Sequence, residues 1–386
     1  MDLQRELIGR THELAPVLAA RAAATEANRA PLDDNVRQLC DAGLMQILVP
    51  RRYGGHELHV DTLVEIVRIV ASACPSTGWV TAFYIGHNWF HAVFPRASQD
   101  EVFADRPYAL TAGQIAPSMR AERDTGGYRL SGRQSWSSGV VHANWIIFTG
   151  MVSDDPGQGP RLFCVPRAEV EVVDNWYIAG MCGTGSRDVA VDGVFVPVHH
   201  TLSFADFLNG SHHGGAVHGT ALYRLPALGV IWFEVMPVMA GILRGAAECF
   251  RDLTAARANA YTGEASATRP AAQMRVGRGL ANADALDDLT RSAARHVLAW
   301  DGSSAITLET RAAFRARAAL VTKLAADGVT DIVNGAGGNA FRSEAPLQRY
   351  FRDVNVLRTH AALDYEGAME VYGRLGLGQG PGSPLL

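Results

Sequence analysis

Hydrophobic positions change their spacing twice along this chain. Up to about residue 105 they recur at helical intervals, with Leu3, Leu7, Leu14 and Leu18 on one face of a first helix. Asp33 or Asp34 caps a helix that stops near Gly43, and Asp61 opens another through Leu63, Ile66, Val67 and Val70. Ser76 caps the run TGWVTAFYIGHNWFHAVF, which is apolar on nearly every side and predicts a buried helix. Ser98 with Glu101 fits a capping box for a short helix after it. From 106 to about 205 the period shortens: TGGYRLSGRQSW reads as a hairpin, NWIIFTGMV as a buried strand closed by the loop SDDPGQGP, and RLFCVP, EVEVVD and DVAVDGVFVP as further strands. Short strands without intervening helices predict an antiparallel sheet or small barrel. Helical spacing then returns in four long segments, the last of them carrying His360, as an antiparallel bundle requires. Three domains follow: a helical one over 1–105, a β domain over 106–210, and a four-helix bundle over 211–386 that ends in a loose or wrapping tail.

Composition narrows the class. With 48% hydrophobic and 19% charged residues, the 386-residue chain is an ordinary globular protein. A formal charge of −4 gives no general attraction to nucleic acid or anionic membrane. Lys323 is the single lysine, a bias read as genome composition. Five cysteines, scattered and never in a C-x-x-C spacing, fit reduced thiols in a cytoplasmic protein. The charged helical N-terminus has no apolar segment of a secretion signal, and no run is expected to reach the roughly 18 apolar residues of a membrane span.

Several motifs resemble one fold family in the same order along nearly the whole chain. VPRRYGG (Val49–Gly55) is similar to the P-x-x-Y-G-G turn of acyl-CoA dehydrogenases, and YRLSGRQSWSSGVVHANW (Tyr128–Trp145) to their flavin-facing strand, with Trp136 and Trp145 nine apart. NGAGGNAF (Asn334–Phe341) resembles the Gly-rich segment that reaches a neighbouring subunit's cofactor, and FRD (Phe351–Asp353) the lead into the last bundle helix. SWSSG, GTGSRDVAVDGVFVP (Gly183–Pro197) and RDV-x5-HA-x-LD are similar to one branch, the two-component flavin-dependent monooxygenases. The resemblance implies a mostly α, α+β fold: helical N-terminal domain, central antiparallel β domain and C-terminal four-helix bundle.

It also implies an activity. Reduced FMN or FAD would react with O2 to give a C4a-hydroperoxide that hydroxylates an aromatic or polyketide-like small molecule. The resemblance places Ser138 near the flavin N5, and His87 and His360 at the substrate. Trp136, Ser137, Ser138, Gly113, Gly335, Gly337, Gly338 and Asn339 are the cofactor contacts it suggests, and His87, His91, Arg224 and His360 the substrate contacts. No nicotinamide motif is visible, so a separate NAD(P)H-dependent flavin reductase is expected, and the Gly-rich segment implies a homotetramer.

Chemistry gives the histidine its task. An imidazole accepts a proton near neutrality and can activate a phenol for attack. His360 is expected on a helical stripe with Val356, Leu357, Leu363, Gly367 and Val371, oriented by Asp364 or Asp353. Its neighbour is Ala361, where a dehydrogenase on this helix would carry its glutamate base. Two other readings remain: a true acyl-CoA dehydrogenase with Glu234 as base, and a non-catalytic assembly protein of the same fold. His87 and His91 share a face at i, i+4, but no H-E-x-x-H pattern or third ligand accompanies them, so no metal is expected. SHHGGAVHG (Ser211–Gly219) reads as a Gly-rich linker.

Overall fold

The computed structural model describes residues 3–153, 157, 159–258, 263–300 and 306–383. Half of the loop after NWIIFTGMV (154–156 and 158) and the last three residues of the tail lie outside the described residues. Six helices come first: α1 (Leu3–Ala20), α2 (Ala22–Ala27), α3 (Asp33–Asp41), α4 (Val60–Ala73), α5 (Pro75–Val93) and α6 (Arg96–Val102). Between α3 and α4 the P-x-x-Y-G-G turn closes with Gly54 at φ 79°, a left-handed conformation that glycine adopts without a Cβ clash.

Cap assignments needed correction. Helix α5 starts at Pro75, whose missing N–H is no loss at the first position, and Ser76 makes no cap. Ser98 and Glu101 form no capping box, because both side chains are drawn to histidines about a hundred residues away: Ser98 Oγ pairs with His200 Nδ1 at 2.7 Å, and Glu101 with His199 and His200. Helix α5 is buried along its length except at Phe83, as its all-round apolarity requires.

Eight strands follow: β1 (Thr111–Gly113), β2 (Met119–Asp124), β3 (Gly127–Ser137), β4 (Trp145–Val152), β5 (Pro160–Pro166), β6 (Glu171–Val173), β7 (Arg187–Pro197) and β8 (Thr201–Ser203). They form one sheet of order β6-β7-β3-β2-β4-β5-β8, with β1 also on β4. Hairpin β2–β3 turns at Thr125-Gly126, as its sequence predicted. The pairings are antiparallel except β1–β4 and β2–β4, which are parallel and had no sequence signal. The sheet encloses its own apolar core of Ala121, Leu130, Phe148, Phe163 and Val189. Near its end β3 loses register with β7 between Gln134 and Ser137. There Ser135 and Trp136 both point outward, and Trp136 takes φ 64°. An irregularity of this kind re-aims a side chain.

Short helices α7 (Phe204–Asn209) and α8 (Gly214–His218) lead to α9 (Trp232–Ala256), α10 (Pro270–Leu298), α11 (Leu308–Ala336) and α12 (Pro346–Leu357), and α13 (Tyr365–Gly376) closes the chain. Helix α9 is the hub, touching α4, α5, α10, α11 and α12. The stretch Ala227–Ala256 is long and apolar enough to cross a membrane by length and composition, which amends the sequence expectation, yet 89% of its apolar window is buried in the core. Its hydrophobicity is spent on packing.

Candidate active site

His360 lies in the turn between α12 and α13, not on a bundle helix. Helix α12 ends at Leu357, and Asp364 starts α13 by accepting the Gly367 N–H at 3.1 Å. An aspartate followed by an apolar helical run is an N-cap, so the chain breaks here. Neither aspartate orients the imidazole: Asp364 is that cap, and Asp353 accepts the Met181 N–H at 2.5 Å. His360 Nδ1 instead accepts the Ala362 N–H at 3.2 Å.

Helix α5 collects the other side chains. Trp79, Phe83 and His87 recur every four residues on one stripe. The Trp79 ring meets Phe83 edge-on at 4.8 Å and His360 at 5.8 Å, and Phe83 meets His87 at 5.3 Å. The Trp79 indole N–H donates to Ser138 Oγ at 3.1 Å, just past the end of β3. Trp79 therefore brings Ser138, His360 and His87 to one junction of α5, the sheet and the α12–α13 turn. Trp79 and Phe83 stood out in the sequence only as aromatics; their bridging role depends on contacts 59 and 281 residues away.

The two histidines are held in opposite tautomers. His87 Nδ1 faces the Thr111 carbonyl oxygen at 2.8 Å, so that nitrogen carries the proton and Nε2 keeps its lone pair. His360 Nδ1 accepts a backbone N–H, so its proton sits on Nε2. Burial pushes the His87 pKa down to about 4, against the opposing pull of the Thr111 carbonyl. His360 is accessible along one side while protein crowds the others, and that crowding lowers its pKa too. The junction thus offers one acceptor nitrogen and one N–H donor, both uncharged at neutral pH.

Other expected residues fall elsewhere. His91 is fully buried behind this stripe, with Nε2 on Thr111 Oγ1 at 2.7 Å and Nδ1 3.7 Å from Cys164 Sγ, and its pKa falls to about 3. It has no free nitrogen for a substrate. The Ser137 hydroxyl points into the sheet and accepts from Gln134 Nε2 at 3.0 Å, so of the three consecutive residues only Trp136 and Ser138 face out of the sheet core. Arg224 is exposed and donates to the Gly219 carbonyl at 2.8 Å, away from the stripe. Gly113 ends β1, where a Cβ would press on the Ile147 carbonyl. Gly335 makes room for the Arg275 side chain, Gly337 ends α11 at φ 76°, and Gly338 and Asn339 are exposed. None of these four contacts Ser138 of the same chain.

Glu234 packs against Gly86 of α5 as a buried carboxyl group. It is 3% exposed, lies where a Cβ on Gly86 would overlap its carboxyl group, and Oε1 has no hydrogen-bond partner. Burial alone pushes its pKa far above the carboxylate range. A cluster that sequence reading missed, Glu101 with His199 and His200, brings three ligand-type atoms within 4.8 Å. Each imidazole Nε2 already has its own carboxylate oxygen at 2.9 Å, which makes it a closed clamp between α6 and the segment joining β7 to β8.

The junction fits a flavin. Trp136 is 54% exposed and braced edge-on by Trp176 at 4.9 Å, an unpaired aromatic wall for a planar ring. Two residues on, the Ser138 hydroxyl is buried but keeps a lone pair for the ring edge, and the neutral imidazoles stand beyond it.

Comparison with known proteins agrees. Residues 9–94 match the acyl-CoA dehydrogenase N-terminal domain family and residues 235–365 the acyl-CoA dehydrogenase C-terminal domain family. A pigment production hydroxylase of Rhodococcus sp. (strain ATCC 21145) is 45% identical over the full length of both chains. The flavin-dependent monooxygenase oxygenase subunit HsaA of Mycobacterium tuberculosis is 31% identical over 97% of this chain and 95% of its own. The HsaA crystal structure superposes with a TM-score of 0.90, covering 99% of this chain and all of that one. The oxygenase component of an FADH2-dependent resorcinol hydroxylase from Rhizobium sp. (strain MTP-10005) is 29% identical over 97% of this chain and 95% of its own.

Proposed function

The chain belongs to the acyl-CoA dehydrogenase superfamily and, within it, to the oxygenase components of flavin-dependent monooxygenases, and on that premise we propose how its residues serve the reaction. The enzyme takes reduced FMN or FAD and O2 and hydroxylates an aromatic small molecule, with the reduced flavin supplied by a separate reductase. When bound, the flavin supplies the activation of dioxygen; the protein supplies binding, orientation and proton control.

Ser138 and Trp136 are the residues that would hold the flavin ring, the serine by its hydroxyl and the indole by its open face. His87 accepts the phenolic proton at Nε2, because its other nitrogen is committed to the Thr111 carbonyl. His360 donates from Nε2 to the oxygen that becomes negative as the phenol gives up that proton. Phe83, the half-open position of α5, lies between them as an apolar floor for the substrate ring. The observation that carries this reading is Trp79, hydrogen-bonded to Ser138 and in ring contact with His360, while the carboxyl group of Glu234 is buried with its pKa pushed far up.

Residues 1–105, 106–210 and 211–386 are proposed as three domains meeting at this junction. Gly337, Gly338 and Asn339 would then reach the flavin of a neighbouring subunit in a cytoplasmic homotetramer. Mixing the protein with anaerobically photoreduced flavin and a phenol or catechol, then admitting air, tests the function. Hydroxylated product is expected without any reductase present. Reduction of bound flavin by an acyl-CoA, with no hydroxylation of any aromatic offered, would refute it.

A further inference from the structure

Ser138 is the first member of a buried chain of hydroxyl groups. The Trp79 N–H donates to Ser138 Oγ at 3.1 Å, Ser138 Oγ lies 2.7 Å from Ser186 Oγ, and Ser186 Oγ lies 2.6 Å from Thr184 Oγ1. Thr184 Oγ1 then donates to the Met181 carbonyl oxygen at 2.9 Å. All three hydroxyl residues are at most 9% exposed. Each hydroxyl has one proton, so the end of the chain decides its direction. A carbonyl only accepts: once Thr184 donates to Met181, Ser186 must donate to Thr184 and Ser138 to Ser186. Ser138 is left with a single lone pair. The opposite direction forfeits the bond to Met181 and turns the Ser138 proton outward.

The end of the chain is fixed from outside it. Met181 stands at φ 56°, an unfavourable region for a side chain of its size, and its N–H is gripped by the fully buried Asp353 of α12. Its carbonyl also receives the Thr184 N–H and the Trp176 indole N–H, both at 3.2 Å, so the residue is held at its N–H and at its C=O.

We propose that Thr184 and Ser186 are positioning residues that make Ser138 a hydrogen-bond acceptor, so that the site prefers a flavin bearing a proton on N5 over one that does not. This rests on the reading of Ser138 as the partner of N5. Reduced flavin has an N5–H to give; oxidised flavin has only a lone pair there, which would face the lone pair of Ser138. An oxygenase that must capture reduced flavin and let go of the oxidised form gains a discriminating contact at the one atom whose hydrogen-bonding sense changes. The preference is set by one hydrogen bond, about fivefold in relative affinity.

The test is an anaerobic equilibrium titration of the full-length protein with reduced and with oxidised FMN or FAD, read as the ratio of the two dissociation constants. Thr184→Val removes the hydroxyl while keeping the shape, and Ser186→Ala breaks the chain one step nearer the flavin. Both are expected to cut the preference for reduced flavin about fivefold, partly by tightening oxidised flavin, whereas Thr184→Ser keeps the wild-type ratio. A merely structural role would weaken both forms alike and leave the ratio alone. An unchanged ratio in Thr184→Val and Ser186→Ala, with Ser138→Ala altering it, overturns the relay while sparing the flavin contact. If Ser138→Ala leaves the ratio unchanged, the contact with N5 is wrong and the relay falls with it.

Discussion

Replacing Glu234 by glutamine should remove one component of the pH dependence of stability. In the folded chain this carboxyl group is buried against Gly86 with no cation beside it, and burial pushes its pKa far above the ordinary 4.5. The folded state therefore keeps a proton that the unfolded chain releases above that value. Stability must fall as pH rises, by about 1.4 kcal/mol per pH unit, until the folded pKa is reached. A single residue sets that slope, which acts from about pH 4.5 up to the folded pKa. Glutamine has nearly the same shape and no proton to lose. Its amide adds a pH-independent cost of about 1–3 kcal/mol for unpaired donors, but the slope disappears. Urea unfolding of wild type and Glu234→Gln at matched protein concentration across this range measures the difference. It should shift steadily toward the variant as pH rises. A difference that stays constant would mean that Glu234 is ionised in the fold, and a carboxylate base at that position would return the dehydrogenase reading to contention.

Three further outcomes are expected. Gly86→Ala drives a methyl group into the Glu234 carboxyl and should destabilise by about 1–3 kcal/mol, with much of the loss recovered in the Gly86→Ala/Glu234→Ala double variant. Trp79→Phe keeps a ring against His360 and Phe83 but frees a second lone pair on Ser138, so the ratio of reduced- to oxidised-flavin dissociation constants in an anaerobic titration should stay at its wild-type value. His87→Ala should lower product-forming turnover of a phenolic substrate about 10²-fold, with recovery at pH values where the phenol ionises unaided. Because the His87 pKa is about 4, the acid limb of the wild-type pH–rate profile should lie near pH 4, and a limb near 6.5 would contradict the assignment.

The architecture was legible because it is written in local periodicity: the all-round apolarity of α5, the β2–β3 hairpin and the long bundle helices each follow from neighbouring residues. Ser138, Trp136 and His87 are candidates that motifs alone put forward. What escaped was set by distant partners. The apolar stripe from Val356 to Val371 predicts one helix through His360, whereas the aspartate before YEGAMEVYG is a helix start, a signal also present in the sequence. The tautomers had no such signal, since the Thr111 carbonyl that fixes His87 lies 24 residues away on β1. Ser98 and Glu101 matched a capping pattern by spacing, but histidines on another segment claimed both side chains. Thr184 and Ser186 stand within the GTGSRDV motif, with no local signal that folding brings their hydroxyls to Ser138.

The irregularity that turns Trp136 outward divides β3 into two reading frames. Before it, even-numbered positions such as Tyr128, Leu130 and Gln134 face inward; after it the odd-numbered Ser137 does. Deleting Ser135 would merge the frames and leave Trp136 outward as an ordinary strand residue, without the left-handed backbone that now aims its indole. Anyone transplanting this strand, or aligning it against a homologue with a gap nearby, has to carry the offset along with the residues.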